Sequence, residues 1–289
     1  MSLARIPGDP VRGHEISSGT ALRDQEGERA WIKPDIREGI LLLIMKGPDN
    51  GAAPDQFLSE LRDELERSGD ERTRATNQRF FREPVNCFGV KTPVVRAMAA
   101  RYFRALGHPE KELVFHLCEE LFRSDSCEEA FIASDWAYRI RHEYVPEDMQ
   151  TFGRWIERYV NNWAKCDTLC NHAVGALVEQ YPTLVDTLLE WAGSGNRWLR
   201  RAAAVTLILP ARKGLFLSEV FGIADRLLPD EEDLVQKGYG WMLKEASRKH
   251  QEEVFGYVMR HRGDMPRTAL RYAIEKMPRE LKDRAMDRR

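Results

Sequence analysis

Apolar residues return every three or four positions along most of this chain. Phe57, Leu58, Leu61 and Leu65 show the pattern: on a helix they fall on one stripe, and the charged residues between them fall on the other side. The same periodicity predicts helices over Asp35–Lys46, Pro54–Ser68, Glu71–Phe81, Pro93–Leu106, Pro109–Arg123, Cys127–Glu143, Pro146–Val160 and Asn162–Gln180. It continues through Thr183–Gly193, Arg197–Leu209, Ser218–Leu228, Glu231–Arg248, Gln251–Arg262 and Pro266–Lys276. Proline in first turns and glycine at ends mark many of the boundaries. No run of alternating β-branched residues competes, so the fold class is all-α.

Short amphipathic helices joined by tight turns bury their stripes best by stacking in pairs. This predicts an α-solenoid of HEAT-like repeats, curved with a concave face, forming a single domain over residues 31–289. The tryptophans support a repeat: Trp163 to Trp198 is 35 residues and Trp198 to Trp241 is 43, each close to the length of one helix pair. What recurs is length and not a consensus, so a globular all-α fold stays open at this point. Residues 1–30 are polar and rich in glycine and serine, with little to bury, and are expected to be mobile.

The longest unbroken aliphatic run, Ile40 to Met45, is far shorter than the roughly 20 apolar residues of a membrane span. No apolar signal segment opens the chain, and the expectation is a soluble, cytoplasmic protein. Five cysteines (Cys87, Cys118, Cys127, Cys166, Cys170) are an odd number without a CxxC, which argues against a disulfide framework and against a zinc site. Cys166 and Cys170, four apart, have the spacing to share a metal with His172, but buried cysteines acting as small hydrophobes are the commoner outcome. No cofactor is expected.

Charge is nearly balanced, 44 basic against 46 acidic residues, which by itself is not the signature of a nucleic-acid binder. Its distribution is uneven. From Arg197 onward there are 20 Lys/Arg against 14 Asp/Glu, while residues 1–196 carry 24 against 32. A basic C-terminal half suits phosphate contacts; on charge alone, ordinary solvated helix faces are the favoured account.

The stretch NNWAKCDTLCNH, Asn161 to His172, carries the most chemistry. Trp163 and Asp167 lie one helical turn apart on the same face. Stacked repeats would bring Trp198, Arg201 and Trp241 alongside, giving a surface of indoles, a carboxylate and a guanidinium. Indole faces attract cations, a carboxylate stabilises developing positive charge, and arginine clamps phosphate. Each tryptophan taken singly is more often a core residue. Asp167 has poor helix propensity and, if buried, needs a partner, for which Arg201 is the obvious candidate.

Four segments together, FGVKTPVVRAMA (Phe88–Ala99), NNWAKCDTLC (Asn161–Cys170), NRWLRRAAAV (Asn196–Val205) and YGWMLKEASRK (Tyr239–Lys249), resemble in order and spacing the AlkD-like DNA alkylation repair glycosylases. The resemblance extends from about Phe57 to about Met277. It implies a HEAT-like solenoid that excises positively charged N3- and N7-alkylpurines from double-stranded DNA without drawing the base into a deep pocket. It implies Asp167 as the catalytic carboxylate and Trp163 and Trp241 as lesion-facing indoles. Arg201 would contact phosphate, with Arg200 as the alternative if the register slips by one and Lys244 as a further contact. A monomer acting on alkylated duplex is the expected form.

The chain departs from the pattern at Asn162, where a second aromatic residue is expected before the motif tryptophan. The extension before Pro54 also has no counterpart. Related solenoids bind DNA without glycosylase activity, and the presence of Asp167 with both tryptophans is what separates the catalytic reading from a noncatalytic DNA binder or a protein-interaction scaffold.

Overall fold

The computed structural model describes residues 52–287. The expected mobile segment of residues 1–30 and the expected helix over Asp35–Lys46 lie outside the described residues. Among the described residues every regular element is helical. The helices are α1 (Ala52–Ser68), α2 (Glu71–Gln78), α3 (Thr92–Ala105), α4 (Lys111–Arg123), α5 (Cys127–Arg139), α6 (Asp148–Tyr159), α7 (Trp163–Leu169) and α8 (Gly175–Gln180). There follow α9 (Val185–Ala192), α10 (Arg197–Thr206), α11 (Ile208–Lys213), α12 (Leu217–Leu227), α13 (Asp233–Ala246), α14 (Gln251–His261), α15 (Arg267–Ala273) and α16 (Arg279–Met286).

The helices pack in two rows. One row runs α3, α5, α7, α10, α13, α15, each member against the next. In the other, α1 packs on α4, α4 on α6, α9 on α12 and α14 on α16. Helices α4 and α5, α9 and α10, and α12 and α13 pack as pairs across the rows, and polar contacts bind each repeat to the next at a nearly constant separation along the chain. The Trp136 indole donates to Ala99 O at 2.9 Å, Tyr159 to Glu119 at 3.0 Å, Tyr181 to Tyr144 O at 2.9 Å, and Tyr257 to Asp225 at 2.8 Å. Those separations of 37, 40, 37 and 32 residues are the repeat length that the tryptophan spacing implies, and the fold is the expected α-solenoid.

The stripe at Phe57, Leu58, Leu61 and Leu65 is buried, and the core runs unbroken from α1 to α16 through Trp136, Trp155, Tyr239 and Tyr257. Side-chain caps fix where helices begin. Asn162 accepts from the backbone N–H groups of Ala164 and Lys165, and Asn196 accepts from that of Trp198. Asn162, the departure from the family pattern, therefore starts α7, and its amide reaches Cys127 Sγ at 3.6 Å.

Several expected boundaries shift. Asn162–Gln180 is interrupted by a π turn at Cys170–Val174, a local widening that hydrophobic periodicity does not encode. The helix expected to run to Glu143 ends at Arg139, and the one expected to reach Phe81 ends at Gln78. Helix α11 follows α10 because Pro210 occupies its first turn, where a missing N–H costs nothing, and left-handed Gly214 (φ 91°) closes it. Helix α16 lies beyond the last expected helix and caps its row against α14.

Helix α2 breaks the pairing rule. It sits between the partners α1 and α3, and none of its residues is buried. Its base is closed by Asp70 N–H donating to Gly89 O at 3.1 Å. The buried Glu128 carboxylate accepts the N–H groups of Phe88, Gly89 and Val90 at 3.1, 2.9 and 3.0 Å. Gly89 takes φ 84°, which a side chain would oppose. The FGV segment is thus a backbone nest around a carboxylate, and residues 70–89 form a loop with clamped ends.

Candidate functional site

Trp163 and Asp167 come from α7, Arg201 from α10, and Trp241 and Lys244 from α13, three neighbours in one row. The repeat brings together residues that are up to 81 positions apart in sequence. Arg201 is the centre of this arrangement. Its Nε donates to Asp167 Oδ1 at 2.8 Å and its Nη2 to Oδ2 at 2.7 Å, while Nη1 donates to Leu234 O at the start of α13. One guanidinium thereby joins three repeats.

Both partners are nearly closed off, with 4% of the Asp167 side chain and 5% of the Arg201 side chain exposed. Asp167 is therefore not an open carboxylate: it is buried and has a donor on each oxygen, both from Arg201, the partner expected for a buried aspartate here. Burial pushes the Asp167 carboxyl above its ordinary value, and the Arg201 guanidinium, which does not surrender its proton, offsets only part of that rise. A bidentate pair of this geometry fixes the plane of the carboxylate.

The two lesion-facing candidates, on the two helices that pack against α10, are partly exposed. The ring of Trp163 stacks on Phe81 at 5.3 Å with 21° between planes, and its Nε1 donates to Phe80 O at 3.4 Å. The ring of Trp241 lies 5.8 Å from Lys244 Nζ, which is 5.7 Å from the Tyr272 ring on its other side. Trp198 is different. It is buried in the core, its carbonyl accepts from Cys166 Sγ, and only two indoles of the three reach the surface.

The cations expected to hold phosphate have internal partners. Arg200 donates to Asp230 at 2.6 Å and to the carbonyls of Ser194 and Gly195, so it ties the start of α10 to the loop before α13. Lys244, 10% exposed, donates to Glu275 at 3.1 Å. Arg201 belongs to the buried pair. Cys166 and Cys170 lie in the core, and among the described residues no cluster of His, Cys, Asp and Glu is placed to hold a metal.

A segment that the sequence reading passed over crosses this site. After α2 the chain runs RFFREP, Arg79 to Pro84, and its contacts reach the first residues of three row helices. Phe81 meets Trp163, Glu83 meets Arg197 at 3.1 Å, and Arg82 meets Asp233 at 3.4 Å. Trp163 and Arg197 stand one turn before Asp167 and Arg201, and Asp233 adjoins Leu234, the third point of the Arg201 fork. The available signal was compositional: a basic, aromatic run following a helix with no apolar stripe.

Comparison with known proteins places these observations. A solved structure of a predicted DNA alkylation repair enzyme from Enterococcus faecalis superposes with a TM-score of 0.66 at 18% identity, covering 73% of this chain and 98% of that one, a likeness of fold. A DNA-bound alkylpurine glycosylase, AlkC of Pseudomonas fluorescens, in complex with an abasic-site analogue, gives a TM-score of 0.43 at 17% identity over 63% of this chain and 52% of that one. No curated protein matches the sequence. None of the described helices is long and apolar enough to cross a membrane. Residues 61–277, three quarters of the sequence and all of the site, match the family described as DNA alkylation repair enzyme, and the chain belongs to it.

Proposed function

We propose that the protein is a monofunctional DNA glycosylase that releases cationic N3- and N7-alkylpurines from duplex DNA. The observation that carries this reading is the convergence of Asp167, Arg201, Trp163 and Trp241 on three consecutive helices of one row, within a chain of this family. An alkylated purine already carries positive charge, so it leaves without a general acid. Its departure puts positive charge on the deoxyribose, the oxocarbenium-like state that glycosidases stabilise with a carboxylate. Asp167, oriented by Arg201, would supply that charge and direct the attacking water. The indoles of Trp163 and Trp241 would exclude bulk water and attract the cationic base. Contacts of this kind favour selection by lesion charge over selection by pocket shape.

The test is release of 7-methylguanine or 3-methyladenine from methylated duplex. Release by the native protein, lost in Asp167→Asn that still folds, supports the assignment. Absence of release by the native protein at any enzyme concentration refutes it.

The burial of Asp167 favours a second reading, a noncatalytic binder of damaged or branched DNA in which the Asp167–Arg201 pair only locks two repeats together. That reading expects duplex binding with a steep salt dependence and no base release.

A further inference from the structure

The loop of residues 70–89 has a rigid base and a loosely held tip. The base is fixed by the Asp70–Gly89 backbone bond and by the three N–H groups gathered on buried Glu128. At the tip the Trp163 indole donates to Phe80 O at 3.4 Å and the Gln78 amide to Glu83 O at 3.0 Å, while the two ion pairs are made by exposed side chains: 68% of Glu83 and 87% of Arg82 face solvent. Exposed ion pairs of this kind contribute about 0–1 kcal/mol each, so the charged contacts of the tip are ones that a competing ligand can replace.

Arg197 is the residue for which such competition matters. It is the first residue of α10, its guanidinium lies 4.8 Å from the Trp198 ring, and its Nη2 donates to both carboxylate oxygens of Glu83, at 3.1 and 3.3 Å. Glu232 lies further off, at 3.8 Å. A guanidinium backed by an aromatic ring and positioned at the start of a ten-residue helix suits a phosphodiester as well as a carboxylate, since both present two oxygens and one negative charge. Arg197 keeps 33% of its side chain exposed, against 19% for Arg200, 5% for Arg201 and 10% for Lys244.

We infer that Arg197 is a DNA-phosphate-binding residue which Glu83 occupies in the free protein, and that the tip Arg79–Pro84 is a latch released when duplex backbone takes the place of that carboxylate. Release of the tip lifts Phe81 from the Trp163 indole and clears the turn above Asp167 and Arg201. The inference rests on the proposed function in requiring a duplex as ligand. It adds an order of events: phosphate exchange at Arg197 precedes access to the buried pair.

The test uses the full chain and an undamaged duplex, with affinity read by fluorescence anisotropy at low salt. Glu83→Gln is compared with Glu231→Gln, an exposed carboxylate near the same helices for which no ion pair is found. Glu83→Gln is expected to bind about two- to fivefold tighter than Glu231→Gln, the fold-change matching the loss of one surface pair. The advantage is expected to vanish when Arg197→Gln is added to both. Trypsin cleavage after Arg79 and Arg82 without DNA is expected to be faster in Glu83→Gln than in the native chain. Equal or weaker binding by Glu83→Gln, an advantage that survives Arg197→Gln, or unchanged cleavage overturns the latch while base release can still stand. Failure of every variant to bind duplex overturns the latch and the glycosylase reading together.

Discussion

Arg201 reaches back 34 residues to place two N–H donors on the two oxygens of Asp167, and its remaining nitrogen donates to the carbonyl of Leu234. The same contact is a structural rivet between repeats and the proposed orienting element of the catalytic carboxylate. This dual role determines how substitutions there must be read.

Asp167→Asn is expected to abolish release of methylated purines, and it also leaves a buried guanidinium without its counter-charge. Removing one partner of a buried pair costs about 3–5 kcal/mol, and the amide oxygen, still accepting one N–H, places the cost toward the lower end. Thermal unfolding followed by circular dichroism should show a lowered midpoint. Base release is then measured well below that midpoint, where a folded and inactive variant supports the catalytic role. Full activity in the folded variant refutes it.

The half-buried indole and a fully buried one should separate function from stability. Trp163→Ala loses one stack on Phe81, worth about 0.5–1.5 kcal/mol, and should suppress base release far more than it lowers stability. Trp155→Ala empties a core position with 0% exposure between Phe115, Phe122 and Phe152 and should cost about 3–5 kcal/mol. Chemical denaturation of both variants beside a base-release assay decides this; equal stability losses would contradict the placement of Trp163.

Glu245 gives the fold an acid-sensitive joint. Burial alone would raise its carboxyl, but hydrogen bonds from Arg212 at 2.8 Å and Arg248 at 2.5 Å prevail and hold it below its ordinary value of 4.5. Because the folded value is the lower one, the unfolded chain takes up the proton first as pH falls. The stabilisation is present above about pH 4.5 and is lost as pH drops through the folded value. Unfolding midpoints measured from pH 6 down to about pH 3 should fall less steeply for Glu245→Gln than for the native protein. Parallel curves would remove Glu245 from the account.

Gly240 marks the closest approach of α13 and α15. A methyl group there would stand 2.7 Å from both Ala269 O and Tyr272 Cβ, closer than real contacts allow. Gly240→Ala should therefore destabilise by about 1–3 kcal/mol, and since Tyr272 flanks Lys244 beside Trp241, base release should fall with it. A neutral or stabilising effect on the denaturation midpoint would show that the two helices separate without cost.

The chain's own pattern determined the class of fold and the repeat. The stripe at Phe57, Leu58, Leu61 and Leu65 requires a helix with one side buried, and the tryptophan spacing reports the length of a helix pair, because both are local properties of a periodic backbone. The motif residues marked the right neighbourhood for the same reason, since stacked repeats bring equivalent positions together. Partner choice was left to tertiary structure. Whether Asp167 lies open or paired, whether Arg200, Arg201 and Lys244 face a ligand or Asp230, Asp167 and Glu275, and whether Trp198 is surface or core depend on contacts about one repeat away in sequence. Helical periodicity carries no information about such contacts. The π turn at Cys170 and the reach of Arg82 and Glu83 to Asp233 and Arg197 are of the same kind. The first arises from helix packing and the second from a loop laid across helix starts 151 and 114 residues away, and only the assembled solenoid fixes either.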